Sequence, residues 1–293
     1  MNQYLISTPY FDYDSGSVIE YGKQLVGVES DPFKIAILLY QGVRDDIRYN
    51  AYTFETKAES FSASYCLQQG ESYCVPKAVL LATLCRLYKI PARIGLADVQ
   101  NHLASPQFLA YLKSNIFVMH GYTDIYLNGK WVKATPAFDA ELCKLMNLHP
   151  LEFNGKEDSI FHEFDSSGDR HMEYLKEHGT FADVPREMII DAVKKAYPHL
   201  AGKIVGDNTS TPSICDAIVT PQPGEKSFAI CKGNLGEGLT ASDEEALAAV
   251  AKSAASANTI FGDLPPSSRY TCFKLERAEY SSSLRPTKPE PVN

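Results

Sequence analysis

The chain has no basic stretch: 28 Lys and Arg stand against 36 Asp and Glu, a net charge of −8. A pI near 5.4 gives it no electrostatic footprint for nucleic acid or for an anionic membrane surface. It has no long apolar run, and its longest uninterrupted apolar segments are far too short to span a bilayer. Its first residues, "MNQYLISTPYFDYDSGS", lack the positive n-region and apolar stretch of a signal peptide, so the expectation is a cytoplasmic protein. Without an export signal the "NTS" at Asn208 is not read as a glycosylation site. The seven cysteines are an odd number without paired spacing, which points to free thiols. No glycine-rich phosphate loop and no cation-binding loop is present, so no cofactor is expected. His162, His171 and His178 lie among acids at no recurring ligand spacing, which favours a solvated polar loop over a metal site.

What is present is ordinary for a soluble globular protein: 44% hydrophobic and 22% charged residues over 293 positions, enough for a sizeable core. Residues 1–200 read as the main domain and 201–280 as an extension or subdomain. Residues 281–293, "SSLRPTKPEPVN" with the serine before it, are too polar and proline-rich to fold. The first thirty residues suggest a strand or arm on the core. A helix follows from Pro32, with Asp31 as N-cap and Ile35, Leu38, Leu39, Gly42, Val43 and Ile47 on one face. Beyond residue 140 the periodicity fades: residues 148–185 read as a long wrapped loop with a short helix near His171–Glu177, and "REMIIDAVKKAY" reads as a helix ending by Tyr197.

One stretch carries a chemical signal: "GESYCVPKAVLLATLCRLYKIPAR", Gly70 to Arg93. Cys74 opens a helix that is apolar nearly all round, and Pro76 is tolerated because it falls in the first turn. At that end unpaired N–H groups and the helix dipole favour negative charge, so a thiolate is expected there with a lowered pKa. A strand follows after Pro91. "NIFVMHGYTDIYLNGKWVKATPAF" then reads as a hairpin about Asn128-Gly129. In that register Leu127 faces Lys130, Tyr126 faces Trp131 and His120 lies opposite Ala137, with Thr135 diagonal to His120 on the same face. Asp139 keeps that parity but reaches His120 only if the chain curls back; Asp124 is four residues along the strand of His120. Gln68 and Gln69, just upstream of Cys74, are candidates for an oxyanion hole with the backbone N–H of Cys74.

"ESYCVPKAVLLATLCRLYKIPARIG" followed by "HGYTDIYLNGKWVKATPAFD" resembles the transglutaminase-like superfamily over roughly residues 30–190. There a Cys opens a helix running into a "GIPAR" strand, here "KIPAR". A His starts a strand of the form H-x-x-x-(acid)-x-Y, here His120 to Tyr126. A "G-x-W" turn then leads to the third catalytic residue. The resemblance implies an α+β papain-like core, a Cys-bearing helix packed on an antiparallel sheet, with a C-terminal extension. It also implies a cysteine-dependent acyl-transfer enzyme acting on a peptide, amide or thioester, with Cys74 as nucleophile and His120 as base. Where the family usually has Asp-Pro, this chain has Thr135-Pro136. Asp139 is therefore taken as the acid that orients His120, with Asp124 second. Water as acceptor makes a hydrolase, and an amine makes a transferase. A non-catalytic relative that keeps the fold for binding is the rival reading, and an unusual cyclase or condensation enzyme a third.

Overall fold

Short polar side chains decide where several helices begin. In the computed structural model, which describes residues 1–102, 104, 106–160 and 172–200, α1 spans Gly16–Val26 and α2 spans Pro32–Asp46. The Asp31 carboxylate accepts from the N–H groups of Phe33 and Lys34, with Pro32 in the first turn where it needs no donor. The short strand β1 (Arg48–Tyr49) runs parallel to β2 (Glu71–Ser72), and between them lies α3 (Ala63–Gln69), capped by Ser62. The helix α4 (Cys74–Leu87) follows, then β3 (Ala92–Asn101), α5 (Pro106–Leu112), β4 (Ile116–Leu127) and β5 (Lys130–Ala134). The described chain is completed by α6 (Ala140–Leu145), β6 (Met172–Phe181) and α7 (Arg186–Ala196).

The larger sheet has the order β5-β4-β3-β6, antiparallel throughout. α4 packs against β4 and β3 on one side and against α2 and α3 on the other. Every residue from Cys74 to Arg86 is buried. At roughly 1.5–3 kcal/mol for each fully buried Val or Leu, this helix and the sheet beneath it form the centre of the core. The architecture is α+β, a Cys-bearing helix packed on an antiparallel sheet. No described helix is long and apolar enough to cross a membrane.

Two readings of the sequence need correction. The first thirty residues hold a helix, α1, rather than a strand or arm; Val18, Gly22 and Val26 form its buried face at helical spacing. His171–Glu177 is not helical over its described part, because Met172–Phe181 pairs along β3 and gains a ladder of backbone bonds there. The expectations for His162, His171 and everything beyond residue 200, including the extension and tail, lie outside the described residues. Cys66, Cys74, Cys85 and Cys143 are free buried thiols.

Candidate active site

Cys74 is the first residue of α4, and its N-cap neighbour is Tyr73, whose side chain makes no capping bond. A serine or aspartate there would have consumed the free N–H groups; a tyrosine leaves them to the sulfur. β4 approaches this end so closely that Gly121 is required: a Cβ on it would stand 2.8 Å from the Cα of Val75. Gly121 directly follows His120, so the contact that brings β4 onto α4 also fixes the histidine's strand beside the cysteine. Beyond that position Gly121 has no sequence signal.

The electrostatics differ from the sequence expectation. Burial pushes the Cys74 thiol up to about 11, and the backbone N–H groups of Gly121, Val75 and Cys74 itself only partly oppose it. The helix end does act as expected on the sulfur, but desolvation outweighs it, because Cys74 is only 8% exposed. His120 is 2% exposed, and burial holds its pKa down at about 4. Both shifts favour a neutral thiol beside a neutral imidazole.

The hairpin register is as read from Leu127↔Lys130 through Tyr126↔Trp131 to Thr123↔Ala134, with Asn128 and Gly129 at φ 47° and 85° in the left-handed region. It ends there. Thr135 turns its N–H to the carbonyl of Ser159, and the next residue, Pro136, has no N–H to extend the ladder. His120 is therefore not paired with Ala137; its partner is Ala97 on β3. His120, Thr135 and Ala137 nonetheless meet, since all three line one cleft with Phe138, Leu151, Ile160 and Met172. The Thr135 hydroxyl is buried there without a hydrogen-bond partner among the described residues.

The two acids have other partners. Asp139 is the N-cap of α6: one oxygen accepts from the Leu142 N–H and the other from the Tyr49 N–H, each at 2.9 Å. It also faces the fully buried Lys77, whose ammonium donates to the carbonyls of Arg44 and Ile47 at the end of α2. Burial lowers Lys77 to about 8, and Asp139 is the largest influence holding it up. Asp124 forms an ion pair with Arg93 at 2.7 Å, and that guanidinium stacks 3.9 Å over Trp131. The "KIPAR" arginine thus serves the hairpin. Gln68 and Gln69 are exposed at the end of α3; the buried face of that helix belongs to Ala63 and Cys66. Asp139→Ala is expected to lower stability by about 1–2 kcal/mol through loss of the cap, read by urea denaturation. Asp139→Asn should keep part of it.

Residues 19–136 match the family model of the transglutaminase-like superfamily. This stretch of the chain is transglutaminase-like. It runs from within α1 to Pro136 and includes Cys74, His120 and Thr135, while Asp139, α6 and β6 fall outside it. Among solved structures, a protein of Cytophaga hutchinsonii described as a candidate cysteine protease is similar at 15% identity, with a TM-score of 0.36. The likeness covers 61% of this chain and 53% of that one, so this chain matches about half of its length. No curated protein matches.

Proposed function

We propose that this transglutaminase-like core is a cysteine-dependent acyl-transfer enzyme acting on an amide or thioester through an acyl-enzyme. The observation that carries it is the placement of the Cys74 sulfur at an uncapped helix start, among the N–H groups of Val75 and Gly121, with His120 the residue before Gly121. A buried thiol kept for packing needs no such donors.

The neutral pair sets the chemistry. A preformed thiolate–imidazolium pair is disfavoured by burial, so His120 acts as general base during attack. The Cys74 S–H proton passes to the imidazole as sulfur bonds to the substrate carbonyl carbon. The imidazolium then gives that proton to the departing nitrogen or sulfur as its bond to carbon breaks. Water or an amine attacks the thioester next, losing its proton to His120 and releasing Cys74. Water makes the protein a hydrolase and an amine makes it a transferase. Thr135 lines the cleft with His120, which supports a role for its hydroxyl in contacting the substrate.

The test is acylation of Cys74 by a panel of short acyl thioesters and peptide amides, followed by peptide mass spectrometry. A Cys74 adduct is expected, lost in Cys74→Ala and slowed 10²-fold or more in His120→Ala. In substrate-free protein, iodoacetamide should label Cys74 increasingly as pH rises above 9, because a raised thiol pKa keeps the proton on sulfur at lower pH. The rival reading, a binding protein on this fold, is favoured by the commitment of Asp139 and Asp124 to other partners. Acylation of Cys74 no faster than that of Cys66 or Cys85, and indifferent to His120→Ala, would establish that rival.

A further inference from the structure

The strand that carries His120 is not regular. Between β3 and β4 the pairing passes from Ala97↔His120 to Val99↔Phe117, so Asp98 stands opposite two residues, Val118 and Met119. This is a β-bulge, and Met119 in it has φ +56°, a left-handed conformation that is costly for a side chain of its size. On the other edge of β3 the pairing with β6 shifts twice: Leu96 pairs with Gly179 and Ala97 with Glu177, leaving His178 out of the ladder, and Asp98 pairs with Lys176 and Val99 with Tyr174, leaving out Leu175. Asp98 lies between the bulge on β4 and His178 on β6.

Its carboxylate ties them together. One Asp98 oxygen accepts from the Met119 N–H at 3.0 Å and meets the His178 Nε2 at 2.8 Å. Tyr197, at the end of α7, does similar work one step earlier: its hydroxyl accepts from the Val118 N–H at 3.0 Å and donates to the Ile116 carbonyl at 2.7 Å. The backbone just before His120 is thus held by side chains where ladder bonds are missing. Bulges next to functional sites re-aim a side chain, and the residue after this one is His120.

We propose that Asp98, buttressed by His178, is a positioning residue that locks Met119 in its left-handed conformation and so sets the direction in which His120 points. The proposal rests on the reading of His120 as the base for Cys74. The acceptor oxygen is the working part: an asparagine, which keeps it, preserves the lock, and an alanine does not.

The test is NMR of the full chain labelled with 15N-histidine, with the His120 ring resonances assigned by their loss in His120→Gln. In Asp98→Ala those resonances are expected to shift and the ring to titrate closer to its ordinary pKa of about 6.5, as a re-aimed imidazole regains water. His120-dependent acylation of Cys74 should fall at least tenfold in the same variant. Asp98→Asn should restore both. His120 resonances and titration unchanged in a folded Asp98→Ala would overturn the proposal, as would an Asp98→Asn as defective as the alanine. Should Asp98→Ala not fold, Asp98→Ser replaces it, because its oxygen is one bond too short to reach Met119. The NMR readout does not depend on sulfur chemistry. Failure of the acyl-transfer reading shows instead as absent Cys74 acylation in the wild type.

Discussion

Arg86→Ala is expected to destabilise the protein by about 3–5 kcal/mol, a large share of the 5–15 kcal/mol that a domain has in total. The Arg86 side chain is fully buried, and it donates to three carbonyls on three separate segments. Its Nε binds Ala92 at the start of β3, one terminal nitrogen binds Ile6 in the N-terminal segment, and the other binds Ala182 after β6. Its guanidinium also lies 3.8 Å from the centre of the Phe11 ring. Alanine leaves a cavity, and each carbonyl that loses its donor without gaining water costs about 1–3 kcal/mol. Lysine keeps the charge but not the planar fork, so Arg86→Lys should recover only part of the loss. Urea unfolding followed by circular dichroism measures both. A cost under about 1 kcal/mol for the alanine would show that the three segments hold their places without this residue.

Gly121→Ala is expected to reduce Cys74 acylation about 10²-fold while costing about 1–3 kcal/mol in stability. The added Cβ would meet the Cα of Val75 at 2.8 Å and its Cγ2 at 3.0 Å. The first of these is backbone, so no rotamer change relieves it; α4 and β4 must separate. Separation moves the Gly121 N–H away from the sulfur and the imidazole away from the thiol together. The check is acylation kinetics beside a urea melt. Unchanged kinetics in a variant that is destabilised would show that the site tolerates the displacement, and that the close approach serves packing alone.

The start of α2 was legible because Asp31 and Pro32 act within one turn of themselves. The hairpin was legible because Asn128-Gly129 dictates a turn type and the turn dictates the register of its neighbours. α4 was legible from its unbroken apolar character, and the Cys–His order from the motifs along it. The N-terminal helix and β6 were not. α1 shows only a few buried positions among polar ones, and β6 has a mostly half-buried or exposed pattern that becomes a strand by pairing with β3.

The local events at this site follow from residues close together in the chain: which residue opens α4, that its N-cap neighbour cannot cap it, and that a histidine precedes a glycine on the strand to come. Each depends on covalent neighbours and backbone chemistry within a few positions. The rest came from long-range packing. It buried Cys74 and His120 deeply enough for desolvation to outweigh the helix end. It drew Asp139 to Tyr49 and α6, and Asp124 to Arg93. It also set Asp98 between the bulge on β4 and His178 on β6. Burial and the choice of a carboxylate's partner depend on groups distant in sequence, and the register of a nearby hairpin cannot supply them.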